Sequence, residues 1–315
     1  MRNYYLGIDI GGTKTAISLA DNSCRIMDSS FIQNIKSEDF SPVQSNIFRA
    51  VDELFRRNGL SSEDLLSLGI SCPGPLDLEK GLIVYVATTG WRNYPIVDEF
   101  KKKYGIPVFL ENDCNCAAFA ELSNGAGRGC NSIVYITVST GVGCGICING
   151  ALFNGEFGSA GELGHVCVDP AGKECSCGGR GCLQLYSSGT SMAAIAAERS
   201  KTEDSFLSGK DNITAHDVET AVRKGDKLAL KVWDDAMDKL GIAASIIFLL
   251  INPGVIVFGG GVSNAWDLME SKILTSMKRH VYSDLHSKIK IRQAALGKVI
   301  GTTGAILLAK QYKGL

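Results

Sequence analysis

Two segments of this chain consist of a strand, a glycine turn and a second strand, and they constrain the fold more than any other feature. The first covers residues 4–21, YYLGIDIGG followed by TKTAISLAD, and the second covers 131–150, NSIVYITVST, GVG and CGICING. In each, glycines join two apolar runs, which is typical of a β-hairpin. A third glycine turn follows an apolar run in GVIVFGGGVSN at 254–264. The repetition predicts that the strand pattern starts again in the second half of the chain.

Helical patterns separate the strands along the chain. The strands LLSLGIS, VFLEN and KIKIRQAAL alternate with helices predicted at about 42–58, 96–104, 113–124, 187–198, 215–223, 227–251 and 302–312. Such alternation predicts the α/β class, with strands buried in each half. At 315 residues the chain is long enough for two domains.

Charge and hydropathy argue against two classes of partner. The 32 basic and 33 acidic residues leave a net charge of −1 without a basic run, so we expect no nucleic-acid partner. The longest apolar stretch, LGIAASIIFLLI at 240–251, is too short to cross a bilayer and continues a helical pattern, so we expect a buried helix. Residues 1–3 lead directly into a strand-like segment, which predicts no signal peptide and no membrane partner.

The eleven cysteines indicate a reducing environment. Their number is odd, and most stand singly in apolar segments, so we expect a cytoplasmic protein with thiols that are free or metal-bound. The exception is GHVCVDPAGKECSCGGRGC at 164–182, with one histidine and four cysteines. This window is compatible with a disulfide knot, a redox centre or a metal site, and its role depends on the rest of the chain.

The three glycine turns lead to a phosphate-binding hypothesis, because glycine lets backbone N–H groups approach an anion closely. The first turn, DIGGTK at 9–14, also supplies a carboxylate, a hydroxyl and an ammonium group. Taken alone, it is equally explained as a plain hairpin turn. The turns at 139–143 and 259–261 favour phosphate binding. No Walker A loop occurs, and the first turn lacks GxGxxG, so another architecture must bind the phosphates.

The order and content of six motifs resemble the ROK family. They are DIGGTK at 9–14, END at 111–113, STGVGCG at 139–145, GELGH at 161–165, the cysteine cluster and FGGGV at 258–262. ROK sugar kinases have a two-domain α/β, ribonuclease H-like fold of the actin/hexokinase/Hsp70 ATPase superfamily. The resemblance implies ATP and sugar in an interdomain cleft. We expect residues 1–113 plus 298–315 to form a smaller domain, and 114–297 a larger one that carries the zinc loop.

The resemblance implies a nucleotide-binding role for each glycine turn. Asp9 would help to hold Mg²⁺ through water. The phosphates would be lined by Gly11, Gly12, Thr13, Lys14, Thr140 and Gly141. Gly260 and Gly261 in the third turn would lie against the adenosine. ATP and Mg²⁺ are therefore the expected cofactors at these turns.

The resemblance also implies which residues act on the sugar. Glu111-Asn112-Asp113 closes an apolar strand where a helix begins, and a helix cap explains one of these polar residues but not three. Asp113 would be the catalytic base and touch the substrate, and Asn112 would be a sugar ligand. Phosphoryl transfer needs one carboxylate to accept the proton of the attacking hydroxyl, which agrees with this role. Gly74 would approach the sugar from another loop.

The loop before and after the cysteines would complete the sugar pocket. By the same resemblance, Glu162 and His165 would hydrogen-bond sugar hydroxyls, although a solvated loop acid also explains Glu162. His165 could ligate metal through one ring nitrogen and touch sugar through the other. The chain departs from the family at Gln184, where a glutamate usually contacts the sugar. The change would weaken sugar binding by about 1–3 kcal/mol or indicate a different substrate group.

Three thiolates and an imidazole form a complete tetrahedral set for a structural zinc ion, and the candidates are His165, Cys175, Cys177 and Cys182. The resemblance supplies most of the support for zinc, because the Cys-x-Cys-x₄-Cys spacing is unusual. A disulfide is disfavoured by the compartment and by the strain of bridging Cys-x-Cys, and a redox CxxC is absent. Cys167 is left over, and we expect it to pack as a small buried residue.

The expected activity is ATP-dependent phosphorylation of a hexose or N-acetylhexosamine at the 6-hydroxyl. Glucose is the first expectation, with N-acetylglucosamine or N-acetylmannosamine next, and the resemblance implies a homodimer. ROK repressors need an N-terminal helix-turn-helix domain, for which a first strand at residue 4 leaves no room. A sugar-binding regulatory protein with weakened catalysis is the alternative. Gln184 would be its sign, and the intact Asp9, Lys14, Asn112 and Asp113 argue against it.

Overall fold

A computed structural model describes residues 3–86 and 89–312 of the chain, which divides into two compact units. The first unit consists of residues 1–125 and 296–315, and the second of residues 126–295. Each has a five-stranded mixed sheet with helices packed on it, so the α/β prediction is confirmed.

The sheet of the first unit has the strand order β3-β2-β1-β4-β8. The first three strands are antiparallel neighbours, and β4 and β8 continue the sheet in parallel to β1. A smaller antiparallel sheet contains β5, β6 and β7. The strands are β1 (Tyr4–Ile10), β2 (Lys14–Asp21), β3 (Ile26–Gln33), β4 (Leu65–Cys72), β5 (Leu76–Asp77), β6 (Leu82–Tyr85), β7 (Arg92–Tyr94) and β8 (Val108–Asn112).

The helices of this unit are α1 (Ser41–Asn58), α2 (Ile96–Tyr104), α3 (Asp113–Asn124) and the last helix of the chain, α9 (Ile300–Tyr312). The predicted domain boundary after Asp113 would assign α3 to the second domain. The structure places it in the first unit, because α3 packs along α9. Gly304 makes this contact close, since a Cβ there would overlap the Cys116 carbonyl oxygen. The chain passes from the first unit to the second after Gly125 and returns to the first at Leu296.

The second unit repeats this arrangement. Its sheet has the order β11-β10-β9-β12-β13, again an antiparallel hairpin and third strand followed by two parallel strands. The strands are β9 (Ile133–Val138), β10 (Val142–Ile148), β11 (Ala151–Leu152), β12 (Val255–Gly259) and β13 (Ile291–Gln293). The helices are α4 (Gln184–Ser187), α5 (Gly189–Arg199), α6 (Ala215–Arg223), α7 (Lys227–Ile251) and α8 (Trp266–His280). The repetition in the sequence is thus a repetition of topology.

Short 3₁₀ helices connect these elements at Ser62–Asp64, Leu163–His165, Gly261–Ala265, Ser283–Lys288 and Gly297–Val299. The apolar stretch 240–251 forms the end of α7, as expected, and α7 contributes Trp233, Leu240 and Phe248 to the core of the second unit. Among the helices of residues 3–86 and 89–312, none combines the length and apolarity needed to cross a membrane.

Candidate functional site

Asp9 lies near the end of β1, where β4 holds its carboxyl group. The Ser71 hydroxyl donates to Asp9 Oδ1 at 2.6 Å. The pKa of Asp9 is raised to about 6, chiefly by burial and also by the Asp113 carboxyl, against the lowering effects of the Ser71 hydrogen bond and the Lys14 charge. Two neighbouring carboxyl groups with one ammonium group are suited to attract a divalent cation and the phosphates bound to it.

Asn112 and Asp113 form the junction of β8 and α3. Asn112 Oδ1 accepts hydrogen bonds from the backbone N–H groups of Cys114 and Asn115, at 2.9 and 3.4 Å, so this oxygen is the helix cap. The amide nitrogen Nδ2 faces Gly74, on which a Cβ would lie 3.7 Å from it. The structure therefore brings three predicted sugar-side residues together, with the amide nitrogen of Asn112 as the group available for a ligand.

The Asp113 carboxyl group is half-buried at the first position of α3. Desolvation raises its pKa, while hydrogen bonds from Cys114, one of them from the backbone N–H to Oδ1 at 2.8 Å, lower it. Glu111 accepts hydrogen bonds from the Asn112 N–H and from Asn115 Nδ2, at 2.8 and 3.0 Å. Of the two acids in the END motif, Glu111 therefore stabilises the junction and Asp113 is the candidate base.

The turn between β1 and β2 consists of residues 11–13 and is held by Asn34, which the sequence analysis did not identify. Asn34 Nδ2 donates to the Gly11 carbonyl at 2.6 Å, and its backbone N–H donates to the Thr13 carbonyl at 2.9 Å. The Thr15 hydroxyl donates to Asn34 Oδ1 at 2.8 Å. These bonds direct both turn carbonyls toward Asn34, which fixes the conformation of a turn predicted to bind phosphate.

The turn between β9 and β10, residues 139–141, lies against the start of α5. The Gly189 N–H donates to the Ser139 carbonyl at 2.7 Å, and the Thr190 hydroxyl donates to the Thr140 carbonyl at 2.6 Å. Ser188 caps α5 by accepting from the Ser191 N–H at 3.1 Å. Thr140 and Gly141 therefore stand beside a helix N-terminus, whose dipole favours anions.

A cavity of about 690 Å³ in the second unit adjoins this turn. Thr140 and Gly261, both predicted nucleotide ligands, are in its wall, together with residues that the sequence analysis missed: Ser139, Gly189, Thr190, Ala193, Ile213, Thr214, Ala215, His216, Glu219, Trp233, Val262 and Asn264. Gly260 directly precedes the lining residue Gly261. Its φ is +84°, and a Cβ there would overlap the Val138 carbonyl oxygen. The missed residues come from separate helices and loops, and no local motif joins them.

The four predicted metal ligands come together in the second unit. Their ligand atoms, from His165, Cys175, Cys177 and Cys182, all lie within 4.8 Å of one another. The Cys177 and Cys182 sulfurs are 3.6 Å apart, and Cys175 Sγ is 3.9 Å from His165 Nδ1. Tetrahedral coordination with Zn–S bonds of about 2.3 Å gives similar separations. The donor set and its geometry therefore fit zinc.

Hydrogen bonds to sulfur support this assignment. The Gly179 N–H donates to Cys177 Sγ at 3.4 Å. Hydrogen bonds, the largest from the backbone of Cys177, lower the pKa of Cys175 to about 6, which favours its thiolate, whereas burial and the neighbouring sulfurs raise the pKa of Cys182 to about 12. Cys167, expected to be buried, is instead exposed. It pairs with Cys182 across an isolated β-bridge at the surface, where no side chain covers it as a core would.

The remaining predicted sugar residues flank the metal set. Glu162 and His165 are exposed at the 3₁₀ helix Leu163–His165. Gln184 begins α4, and its Nε2 donates to Cys175 Sγ at 3.5 Å. The structure thus joins Gln184 to a metal ligand, a contact that its position in the sequence did not reveal.

The sequence model of the ROK family matches residues 5–312. This chain belongs to the ROK family. The two-sheet α/β fold is that of ROK hexokinases, which belong to the actin/hexokinase ATPase superfamily, so the predicted family and fold are confirmed.

Similar ROK proteins include kinases and a regulator. A glucokinase of Halalkalibacterium halodurans is 34% identical over 316 residues, covering 98% of this chain and 96% of that protein. A ROK family glucokinase from Streptomyces griseus, solved with glucose and AMPPNP, has a TM-score of 0.82 at 30% identity and covers 98% and 99% of the two chains. A ROK family transcriptional regulator, a homologue of the E. coli MLC protein, has a TM-score of 0.88 at 28% identity, over 99% of this chain and 79% of that one.

Proposed function

We propose that this ROK protein transfers the γ-phosphoryl group of ATP to the 6-hydroxyl of a hexose, with glucose as the first candidate and N-acetylglucosamine or N-acetylmannosamine next. The observation that carries the proposal is the pair of carboxyl groups, Asp9 and Asp113, which lie where two strands of one sheet end, with the Asp113 carboxyl close enough to raise the pKa of Asp9. A protein that only binds sugar has no need of a desolvated carboxylate pair of this kind. The similarity to the two glucokinases supports glucose.

Asp113 is the proposed general base. Its ionised carboxylate accepts the proton of the sugar hydroxyl as the hydroxyl oxygen attacks the γ-phosphorus. The bond between the γ-phosphorus and the bridging oxygen of ATP breaks, and ADP leaves. Because desolvation raises the pKa of Asp113, the carboxylate is more basic than an exposed aspartate. The amide nitrogen of Asn112 is placed to donate to a sugar oxygen beside it. Activity should decline with falling pH when Asp113 becomes protonated, at a higher pH than for an ordinary aspartate.

Asp9 and the turn of residues 11–13 are the proposed cation and phosphate ligands of the first unit. Carboxylate oxygens suit Mg²⁺, and Asp9 would hold it through water. The bound ion would neutralise the charge that develops on the phosphates during transfer. Lys14 and the N–H groups of the turn would orient the phosphates, and Asn34 keeps that turn in one conformation.

The second unit is proposed to bind the rest of the nucleotide. The N–H groups of Thr140 and Gly141 and the dipole of α5 would meet the phosphates, because the N-terminus of α5 adjoins this turn. The adjoining cavity of about 690 Å³ is in the size range of small-molecule pockets. Its apolar wall, with Trp233 and Val262, suits the faces of a nucleoside, and its polar groups suit the edges.

Glu162 and His165 are the proposed sugar ligands of the second unit. His165 Nδ1 faces the Cys175 sulfur, so Nε2 is the ring nitrogen proposed to meet a sugar hydroxyl. A zinc ion held by His165 and the three cysteines would be structural, because four protein ligands fill a tetrahedral site. Its proposed contribution is to orient the imidazole and to keep the loop folded.

The second candidate is a sugar-responsive regulator without turnover. The structural likeness to the ROK transcriptional regulator favours it, since the TM-score of 0.88 is higher than that of the glucokinase. The intact Asp9 and Asp113 favour the kinase.

The two functions are separated by measuring ADP formation with Mg·ATP and a panel of glucose, N-acetylglucosamine, N-acetylmannosamine, fructose and allose. We expect turnover with glucose and none with 6-deoxyglucose, which lacks the attacking hydroxyl. Asp113→Asn should lower kcat by about 10²–10⁴-fold, because general base catalysis is typically worth that much. ADP formation with no sugar, while calorimetry still detects sugar binding, would support the regulator and contradict the kinase.

We further infer that the protein is a cytoplasmic homodimer. The eleven cysteines, all within the described residues, form no disulfide, which suits a reducing compartment, and the dimer rests on the resemblance to ROK kinases alone. Light scattering of the purified protein tests the dimer, and a monomer at working concentrations contradicts it.

A further inference from the structure

Gln184 has an unusual partner for a residue expected to contact sugar. Its amide nitrogen donates to Cys175 Sγ at 3.5 Å, a normal distance for a hydrogen bond to sulfur. Leu183, which precedes it, is fully buried and anchors the start of α4 in the core. The side-chain amide is thus directed at the metal set from a fixed backbone.

The charge of the metal set explains why an amide is suitable at this position. Three thiolates and one Zn²⁺ carry a net charge of about −1, which hydrogen-bond donors stabilise. The Gly179 N–H already donates to Cys177 Sγ, and Gln184 supplies a donor to Cys175. A glutamate at 184 offers only acceptors when ionised and would place a second negative charge beside the thiolate. The amide of Gln184 is therefore matched to the sulfur rather than to a sugar.

Gln184 also joins the metal set to the helix beside the phosphate turn. Its backbone carbonyl accepts from the Ser191 hydroxyl at 2.7 Å and from the Ser188 N–H at 3.3 Å. The next residue, Gly189, donates to the Ser139 carbonyl at 2.7 Å. A continuous path of hydrogen bonds and backbone thus runs from Cys175 through Gln184 to the turn of residues 139–141.

We propose that Gln184 is a positioning residue of the metal set, whose amide holds the Cys175 thiolate, and that it does not bind the sugar. The proposal rests on the zinc site of the proposed function. The sugar contacts of this loop are then left to Glu162 and to Nε2 of His165. Loss of the Gln184 amide should loosen the ligand loop and, through α5, the phosphate turn.

The test measures zinc release from the full-length, zinc-loaded protein into excess EDTA with a chromogenic zinc indicator. Gln184→Met keeps the length and removes the donor, and Gln184→Glu also adds a charge. We expect release about 10-fold faster for Gln184→Met and up to about 100-fold faster for Gln184→Glu, the range typical of lost contacts to metal ligands. Ser176→Glu is the matched control, because it adds a charge to the exposed loop but keeps the amide.

Steady-state kinetics with saturating zinc give the second measurement. We expect Gln184→Met to raise KM for ATP several-fold with less than a twofold change in KM for sugar. Zinc release at the wild-type rate in Gln184→Met, or a KM for sugar raised fivefold or more, overturns the proposal. If the purified wild-type protein contains clearly less than one zinc ion per chain, the zinc-site proposal itself is contradicted. Release is measured without substrates, so its outcome does not depend on the kinase proposal.

Discussion

The two units share one strand order, but the side chains at the carboxyl ends of their parallel strands differ in chemistry. Strand pairing aligns Asp9 with Ser71 in the first unit and Thr137 with Gly259 in the second. The next strand places Glu111 beside Ser71. At the matching position in the second unit stands Ala294, one residue after the pair of Phe258 and Gln293. The two carboxyl groups at this position in the first unit, of Asp9 and Glu111, thus correspond to the uncharged Thr137 and Ala294 in the second.

The difference indicates a division of roles within a repeated fold. The first unit keeps carboxyl groups whose pKa is raised by burial, which costs stability but provides a base and a cation ligand. The second unit has space at this edge, and the cavity of about 690 Å³ begins beside Thr140 and Gly261. The comparison predicts that changes to the carboxyl groups of the first unit act mainly on turnover, and that changes to the cavity wall of the second act mainly on nucleotide affinity.

Among the variants that compare the two units, Asp9→Asn has the largest expected effect, a loss of turnover. The amide keeps the shape and can still accept from Ser71, but it removes the charge that would attract the cation. We expect kcat to fall about 10²–10³-fold, as for the loss of one electrostatic contact to a transition state. Thr137→Val, the matching change in the second unit, should lower kcat less than threefold. Similar losses of kcat in both variants would contradict the proposed division of roles between the two units.

Next in size is the destabilisation caused by Gly260→Ala. The positive φ and the overlap of a Cβ with the Val138 carbonyl should together cost about 3 kcal/mol of unfolding free energy. Gly261→Ala is the control, because the nearest atom to its Cβ, Ser139 Oγ, is 4.0 Å away. We expect near wild-type stability and a raised KM for ATP in this variant. Urea unfolding and ATP kinetics measure both, and equal stabilities would show that the third turn tolerates a side chain.

Asp9→Asn should also stabilise the protein at neutral pH. The folded pKa of about 6 exceeds the unfolded value of about 3.8, so the folded state binds a proton more readily between these values. Wild-type stability therefore falls as pH rises from about 4 to 6, and the variant lacks this dependence. Because Asp9 keeps some solvent exposure, we expect a gain of about 1–2 kcal/mol at pH 7 and none below pH 4. Urea unfolding at both pH values, without Mg²⁺, measures it, and an equal gain at pH 4 contradicts the ionisation argument.

The smallest expected effect follows the loss of the Asn34 side chain. Asn34→Ala removes the bonds to the Gly11 carbonyl and the Thr15 hydroxyl, each worth about 1 kcal/mol. We expect KM for ATP to rise about 10-fold, with KM for sugar within twofold of the wild type. Gln33→Ala, at the exposed neighbouring position, is the control. Equal increases in both Michaelis constants would show that Asn34 supports the fold of the unit rather than the phosphate turn.

Regular elements with strong patterns were predicted closely. The helices at 96–104, 113–124, 215–223 and 227–251 occur with the predicted bounds, because apolar spacing and terminal residues act locally. β3 was missed, since this edge strand is exposed or half-buried throughout and lacks a continuous apolar run. Because β3 was not predicted, Asn34 was not identified either. It directly follows β3, and its hydrogen bonds to the first turn depend on that strand.

The amino-acid sequence by itself determined the repeated hairpins, the family and the cluster of one histidine and three cysteines, because each is carried by short local motifs. Only the tertiary structure decided which atoms are available for chemistry. Pairing of β1 with β4 brought Ser71 to Asp9, and capping of α3 occupied the oxygen of Asn112. Folding of the cysteine loop directed Gln184 to Cys175. Hydrogen bonds act over about 3 Å, so such pairs are set by packing between distant segments rather than by spacing along the chain.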